Sequence, residues 1–195
     1  MMELLRHIDH YVFEIINQKF SAAWLDPIMI ALSSKWLWIP AYVLLLVAYF
    51  KKYKKQVWVV ILLAAIVVSA SDGISSKVIK PAIKRVRPNQ IEKLYGVQTL
   101  HVRTPNPKDG NSHYGFVSSH AANAFAIFFM AALFLQLRKK WVLAMMCIPA
   151  LIAYSRVYLG VHYPADVLAG ALLGMSLAYA AWLAYGRCFT TFCKV

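Results

Sequence analysis

Three short stretches of the sequence combine residue types that can bind and transfer a phosphate group. They are Lys80 and Arg87; Ser118, Ser119 and His120; and Arg156, His162 and Asp166. Lysine and arginine supply charged donors to phosphate oxygens, and arginine can do so in bidentate fashion. Histidine can serve as a nucleophile or as a general acid and base. The three stretches together therefore predict a site for phosphate chemistry.

The third stretch places a histidine and a carboxylate four residues apart, at His162 and Asp166. On a helix this spacing brings both side chains to one face, and Pro164 suits the first helical turn. A carboxylate bonded to one ring nitrogen fixes the tautomer and leaves the other nitrogen free to attack. The alternative is a histidine that only makes a capping interaction.

The second stretch opens an apolar run and therefore stands where a helix begins. Ser118 and Ser119 are favoured capping residues, and the free N–H groups of a helix start bind phosphate well. His120, in the first turn, can face the same anion. Plain helix capping is the alternative for the serines. Two neighbours of the first stretch, Lys84 and Arg85, are interpreted as basic residues that extend to the lipid interface.

The composition indicates which elements must position these residues. Of the 195 residues, 61% are hydrophobic and only 15% are charged, whereas a soluble domain has about 25% charged residues. Residues 1–20 have amphipathic spacing, which predicts a helix lying on the membrane. We expect one all-α domain over residues 1–195, a polytopic membrane bundle of about six transmembrane helices. The predicted spans lie near residues 22–34, 36–50, 56–76, 117–137, 141–154 and 163–185.

The basic residues predict the orientation of these spans. Clusters at 51–55, 138–140 and 187–194 follow the second, fourth and sixth spans, so they and the N-terminus are expected on the cytoplasmic side. The segment 77–116 then lies on the opposite side and is itself basic, which a site for anions explains. All three stretches reach that face. We therefore expect an active site on the extracytoplasmic face of the membrane, facing the periplasm or exterior.

The net charge of +13 and the cysteines bear on partners and cofactors. Nucleic-acid binding is a poor fit because so much of the chain must face lipid, so a phosphorylated lipid is the expected partner. Cys147, Cys188 and Cys193 have no further zinc ligands nearby, and we expect neither a metal nor a structural disulfide. The oligomeric state is left open.

The motifs resemble those of a known superfamily. The pattern Lys-x6-Arg-Pro, then Ser-x-His, then Ser-Arg-x5-His-x3-Asp is similar to that of the type 2 phosphatidic acid phosphatases, which are related to the vanadium haloperoxidases. The matching residues are Lys80, Arg87, Pro88, Ser118, His120, Ser155, Arg156, His162 and Asp166. The middle motif usually reads Pro-Ser-Gly-His, whereas this chain has a serine at position 119, a difference expected to bear on substrate preference and not on activity.

The resemblance implies a mechanism. His162, oriented by Asp166, attacks phosphorus; His120 protonates the leaving oxygen and then activates water against the phosphohistidine. Phosphate oxygens are held by Lys80, Arg87, Ser118, Ser119 and Arg156, and the three cations take the place of a metal, so no cofactor is expected.

The resemblance also narrows the substrate. Undecaprenyl pyrophosphate is the first expectation, because the chain is short and has no added domain. Phosphatidylglycerophosphate, phosphatidate and the lipid A 1-phosphate are alternatives. A haloperoxidase would need vanadate and is normally a longer, soluble chain. A non-catalytic lipid-binding or transport protein has no need of both His120 and His162.

Overall fold

The computed structural model describes residues 2–90 and 113–192, and the regular structure in these ranges is helical. The α-helices are α1 (Met2–Glu14), α2 (Asp26–Ser33), α3 (Ile39–Tyr53), α4 (Val57–Gly73), α5 (Lys80–Ile83), α6 (Ser119–Phe134), α7 (Lys139–Tyr158) and α8 (Pro164–Phe192). Single-turn π or 3₁₀ segments connect several of them, at Ile15–Lys19, Lys35–Trp38, Lys54–Gln56 and Ile74–Ile79. An isolated antiparallel bridge joins Val86 to Tyr114. The all-α prediction thus agrees with the described part of the chain.

Three helical stretches are long and apolar enough to cross a membrane, and α6 is a shorter apolar helix. The three are Lys35–Ile83, Lys139–Tyr158 and Pro164–Arg187. The first reverses direction at the basic segment around Lys54, because Tyr42 of α3 and Asp72 of α4 line the same cavity. At the far end of the bundle, the Tyr53 hydroxyl donates to the carbonyl oxygen of Phe134 (2.6 Å). Helices α3, α4, α6, α7 and α8 therefore run between the cavity and the basic turns.

The structure does not contain the first predicted span as a crossing helix. Helix α2 has eight residues and is about 12 Å long, far short of the roughly 30 Å hydrocarbon core. It is held instead at the end of α7, where the Tyr158 hydroxyl donates to Asp26 Oδ1 (2.6 Å) and Asn17 Nδ2 donates to the Tyr158 carbonyl (2.7 Å). The count of six spans is therefore not reproduced among the described residues.

Helix α1 lies at the cavity end of the bundle, which differs from the predicted side of the N-terminus. Asp9 Oδ1 accepts a hydrogen bond from the backbone N–H of Ala165 at the start of α8 (2.7 Å). Because α2 does not cross, the chain before α3 stays at one end. Phe13 is buried against the bundle, while Leu4, Leu5 and Ile8 are exposed. That exposed apolar face is of the kind that the predicted interfacial helix needs.

The closest helix packing lies between α6 and α8, and two glycines permit it. A Cβ atom at Gly170 would stand 2.5 Å from the carbonyl oxygen of Ser118, and one at Gly174 would stand 2.0 Å from that of Ala122. Glycines four residues apart let membrane helices approach closely. This contact sets the beginning of α6 beside the beginning of α8, where two of the three sequence stretches lie.

We expect the Gly174→Ala substitution to destabilise the protein by about 3 kcal/mol, because a backbone oxygen cannot move aside as a flexible side chain can. Thermal unfolding in detergent measures the change. Gly186→Ala in the same helix is the matched control, since nothing lies within 4 Å of its added Cβ. Equal melting temperatures for the two variants would contradict the proposed role of the close α6–α8 contact.

Candidate active site

A cavity of about 510 Å³ opens at the end of the bundle to which all three sequence stretches lead. Its polar lining includes Lys80, Arg87, Ser119, His120, Arg156 and His162. Apolar side chains such as Val68, Ile127 and Ile152 line it deeper between the helices. Six of the eight residues that the sequence predicts for the site therefore face one volume.

The charge around this cavity is strongly positive. Among its described lining residues there are four basic side chains, Lys35, Lys80, Arg87 and Arg156, and one carboxylate, Asp72. Three of these cations are almost fully buried, with exposures of 6%, 7% and 2% for Lys80, Arg87 and Arg156, and hydrogen bonds to charged groups are stronger at such low-dielectric sites. The arrangement suits a bound anion with several oxygens.

Each of the three buried cations is placed by a different part of the chain. Lys80 begins α5, directly after the π-helical turn. Arg87 is held across the isolated bridge, where its Nε donates to the carbonyl oxygen of Tyr114 (3.1 Å). Arg156, in the last turn of α7, donates to the Ser33 hydroxyl at the end of α2. The short helix α2 thus contributes to the site without crossing the membrane.

His162 lies in the tight connection between α7 and α8. Gly160 turns the chain there with φ of 75°, a left-handed conformation that favours glycine. The His162 Nδ1 atom is 3.4 Å from Asp166 Oδ2, and the Asp166 carboxylate also accepts from the backbone N–H of Tyr163 (3.0 Å). Asp166 therefore lies beside Nδ1 of His162, as the i, i+4 spacing predicts. Nε2 is the ring nitrogen that does not face this carboxylate.

The environment keeps His162 neutral. Burial, and then the positive charges of Arg87, Arg156 and Lys80, hold the pKa of His162 well below its usual value of 6.5, against the opposing effect of a backbone hydrogen bond at Gly115. A neutral imidazole retains the lone pair that nucleophilic attack requires. His120, in the first turn of α6, lines the same cavity. Two histidines thus face one anion-binding volume.

The two neighbouring serines have different surroundings. The Ser118 side chain is fully buried and caps α6 by accepting from the N–H of Ala121 (3.5 Å), so it does not line the cavity. The Ser119 Oγ accepts from Lys80 Nζ (2.8 Å) and is 2.7 Å from Ser75 Oγ. The serine that stands in place of the usual glycine therefore binds one of the three buried cations.

Sequence reasoning missed two charged residues beside the site, Arg85 and Asp9. Arg85 does not extend to the lipid interface: its guanidinium donates to Asp166 Oδ1 (2.9 Å) and to Asp9 Oδ2, and it lies over the Tyr163 ring. No local spacing signals these pairs, because the partners are 81 and 76 residues apart in the chain. Their contact depends on how α1 packs against α8.

Most of the segment predicted to lie on the side opposite the basic clusters, residues 77–116, lies outside the described residues. Of residues 77–116, the structure describes 77–90 and 113–116. In these parts the backbone N–H of Arg87 donates to the carbonyl oxygen of His113 (3.1 Å), and that of Gly115 donates to Arg85 (2.8 Å). The two ends of the segment therefore meet beside the cavity.

Comparison with known proteins defines the class. Residues 58–189 match the family model of the PAP2 superfamily, and the chain belongs to that superfamily. A lipid A 4'-phosphatase of Bacteroides thetaiotaomicron is 32% identical over 95% of this chain and 79% of its own length. An undecaprenyl-diphosphatase of Sulfolobus acidocaldarius is 30% identical over 86% of this chain and 74% of its own length.

A solved structure has the same fold. The transmembrane PAP2-type phosphatidylglycerolphosphate phosphatase of Bacillus subtilis superposes with a TM-score of 0.66 at 24% identity, over 94% of this chain and 87% of the other. The protein is thus a PAP2 phosphatase, and its apolar helices make it an integral membrane enzyme that acts on phosphorylated lipid.

Proposed function

We propose that this enzyme removes the 4'-phosphate from the sugar headgroup of a lipid A-type glycolipid, through a phosphohistidine on His162. The observation that carries the proposal is the single cavity in which two histidines and three buried cations meet beside polar residues suited to a sugar. The histidines and the cations indicate the reaction, and the polar residues indicate the lipid.

The reaction starts with attack by His162 Nε2 on phosphorus. The phosphorus–oxygen bond to the lipid breaks as the nitrogen–phosphorus bond forms, and His120, which takes up a proton when the negatively charged phosphate binds beside it, gives that proton to the departing oxygen. His120 then takes a proton from water, which attacks the phosphohistidine and releases inorganic phosphate. The covalent intermediate divides one difficult displacement into two easier ones.

The buried cations stabilise the transferring phosphoryl group. Lys80, Arg87 and Arg156, from three different parts of the chain, supply positive charge to the cavity, where negative charge is redistributed over the phosphate oxygens. The Ser119 hydroxyl fixes the Lys80 ammonium, so that this cation is in place before substrate binds. In this scheme the chain's own side chains neutralise the phosphate.

The residues beyond the cations support a sugar headgroup. Asp72, Asn123 and Tyr42 line the cavity below Lys80 and His120, and carboxylate, amide and phenol groups are hydrogen-bond partners for hydroxyls. Trp38 adds an aromatic wall. The relative named as a lipid A 4'-phosphatase, which matches 95% of this chain, supports the same choice.

Undecaprenyl pyrophosphate, the first expectation from the sequence, is the second candidate. The apolar lining by Val68, Ile127 and Ile152 suits a hydrocarbon chain, and the relative named as an undecaprenyl-diphosphatase matches 86% of this chain. A polyprenyl chain, however, makes no use of the polar side chains of Asp72 and Asn123.

A panel of lipids tests the proposal. Purified enzyme is given lipid A, undecaprenyl pyrophosphate, phosphatidylglycerophosphate and phosphatidate in matched detergent micelles, with His162→Ala as the blank. We expect lipid A to give the highest kcat/KM and mass spectrometry to show loss of the 4'-phosphate. Faster hydrolysis of undecaprenyl pyrophosphate would transfer the assignment to the second candidate, and loss of the 1-phosphate would contradict the proposed position.

We further propose that the site faces the periplasm of a bacterial inner membrane. The two basic turns, at 51–55 and 138–140, lie at the end of the bundle opposite the cavity, and basic short loops remain cytoplasmic. Helix α1 lies at the cavity end and would rest on the outer face of that membrane.

A further inference from the structure

A chain of charged side chains connects helix α1 to the proposed nucleophile. Asp9 Oδ2 accepts from Arg85 Nη2, and Arg85 Nη1 donates to Asp166 Oδ1 (2.9 Å). The other oxygen of Asp166 lies 3.4 Å from His162 Nδ1. Each end of the Arg85 guanidinium therefore binds a different carboxylate, one in α1 and one beside His162.

The Asp166 carboxylate depends on this arginine. Its side chain is fully buried, with an exposure of 0%, and a buried carboxylate is expensive unless it is paired and hydrogen-bonded. Arg85 is a salt-bridge partner, and the backbone N–H of Tyr163 is a further donor. The guanidinium thus holds both the charge and the orientation of the group that orients His162.

Asp9 fixes the arginine in turn. Its Oδ1 accepts from the Ala165 N–H at the start of α8, so the carboxylate bridges α8 and Arg85. Helix α1 also packs around the same point, with the rings of His10 and Phe13 at 4.6 and 5.1 Å from that of Tyr163. Arg85 also lies over the Tyr163 ring, with its guanidinium carbon 4.1 Å from the ring centroid.

We propose that Asp9 and Arg85 are positioning residues of the active site, and that α1 acts on the nucleophile through Asp9. Arg85 acts through Asp166 on His162, and Asp9 acts through Arg85. Neither residue lines the cavity, so their effect falls on the rate of attack and not on the binding of the lipid phosphate.

Two conservative substitutions test the arrangement. Arg85→Gln removes the cation from Asp166, and we expect kcat to fall by roughly 100-fold with KM changed less than about threefold. Losses of this order are found when a group that orients a metal-bound histidine is removed. Arg85→Lys keeps a charge and should recover part of that loss. Asp9→Asn keeps an oxygen for the Ala165 N–H but presents an amide to Arg85, and we expect roughly a 10-fold fall in kcat.

Matched controls separate this effect from general loss of charge or folding. Lys84→Gln removes the adjacent basic residue, which is exposed, and Glu14→Gln makes the corresponding change on α1 at an exposed position. Both controls should retain wild-type kcat.

The trapped phosphohistidine is followed by rapid quench, because its rate of formation isolates the attack by His162. In the double variant Asp9→Asn/Arg85→Gln, the Asp9 change should have no further effect.

The positioning role of Asp9 and Arg85 rests on the proposed role of His162 as the nucleophile, and the experiments test these two roles separately. If wild type forms phosphohistidine and His162→Ala does not, the reaction scheme stands whatever the other variants do. A fall in kcat for Lys84→Gln equal to that for Arg85→Gln would overturn the positioning role. It would also be overturned if the Arg85 and Asp9 effects were additive, or if they appeared in KM alone.

Discussion

The His162→Ala variant is expected to lose at least roughly 10⁴-fold in kcat, the order of loss seen when a nucleophile is removed from a concerted catalytic set. His162 is held neutral by burial and by the surrounding cations, so in wild type its lone pair is available for attack. Alanine leaves no atom that can form the covalent bond. Phosphate release from a lipid substrate in detergent measures the loss.

The control for this prediction is His7→Ala. His7 is an exposed histidine of α1 and does not line the cavity, so its variant should keep wild-type activity. Acid-labile phosphate on the protein should be detectable in wild type and absent from His162→Ala. Retention of more than a tenth of the activity by His162→Ala would exclude the covalent scheme.

The His120→Ala variant is expected to lose 10²–10⁴-fold in turnover of a lipid phosphate, the usual contribution of a general acid or base. Its distinguishing signature should appear with para-nitrophenyl phosphate, whose leaving group needs little protonation. Attack by His162 would then proceed, while hydrolysis of the phosphohistidine would stall because no group activates water. We expect a burst of about one nitrophenol per enzyme, followed by slow release.

The comparison with His162→Ala makes this result decisive. That variant cannot form the intermediate and should give no burst on the same substrate. If His120→Ala also gives no burst, His120 is needed for the first step even with a good leaving group. If it turns over at the wild-type rate, His120 has no proton-transfer role, despite lining the cavity with His162.

Local patterns in the sequence were sufficient for the parts of the site that lie within a few residues of a helix start. The four-residue spacing of His162 and Asp166 does place them side by side, with 3.4 Å between Nδ1 and Oδ2. The serine before α6 does cap a helix, and it was Ser118 that used its hydroxyl in this way. The same pattern could not tell which of the two serines would face the anion.

Five of the six predicted apolar runs correspond to helices of the bundle, and the short runs near 36–50 and 141–154 are α3 and α7. The runs near 56–76, 117–137 and 163–185 correspond to α4, α6 and α8. The run near 22–34 was interpreted as a span, yet its helix has only eight residues. Asp26 and Asn17 explain the difference, because both bind Tyr158 at the end of α7.

The sequence alone determined the class of protein and its chemistry. Composition requires helices in a membrane, and the spacing of the histidines and cations matches that of a phosphatase superfamily to which the chain belongs. Only the tertiary structure decided how Lys80 meets Ser119, and how Arg85 meets both Asp9 and Asp166. The physical reason is that these contacts join residues 39 to 81 positions apart, and they form only when helices with no local signal for one another pack together.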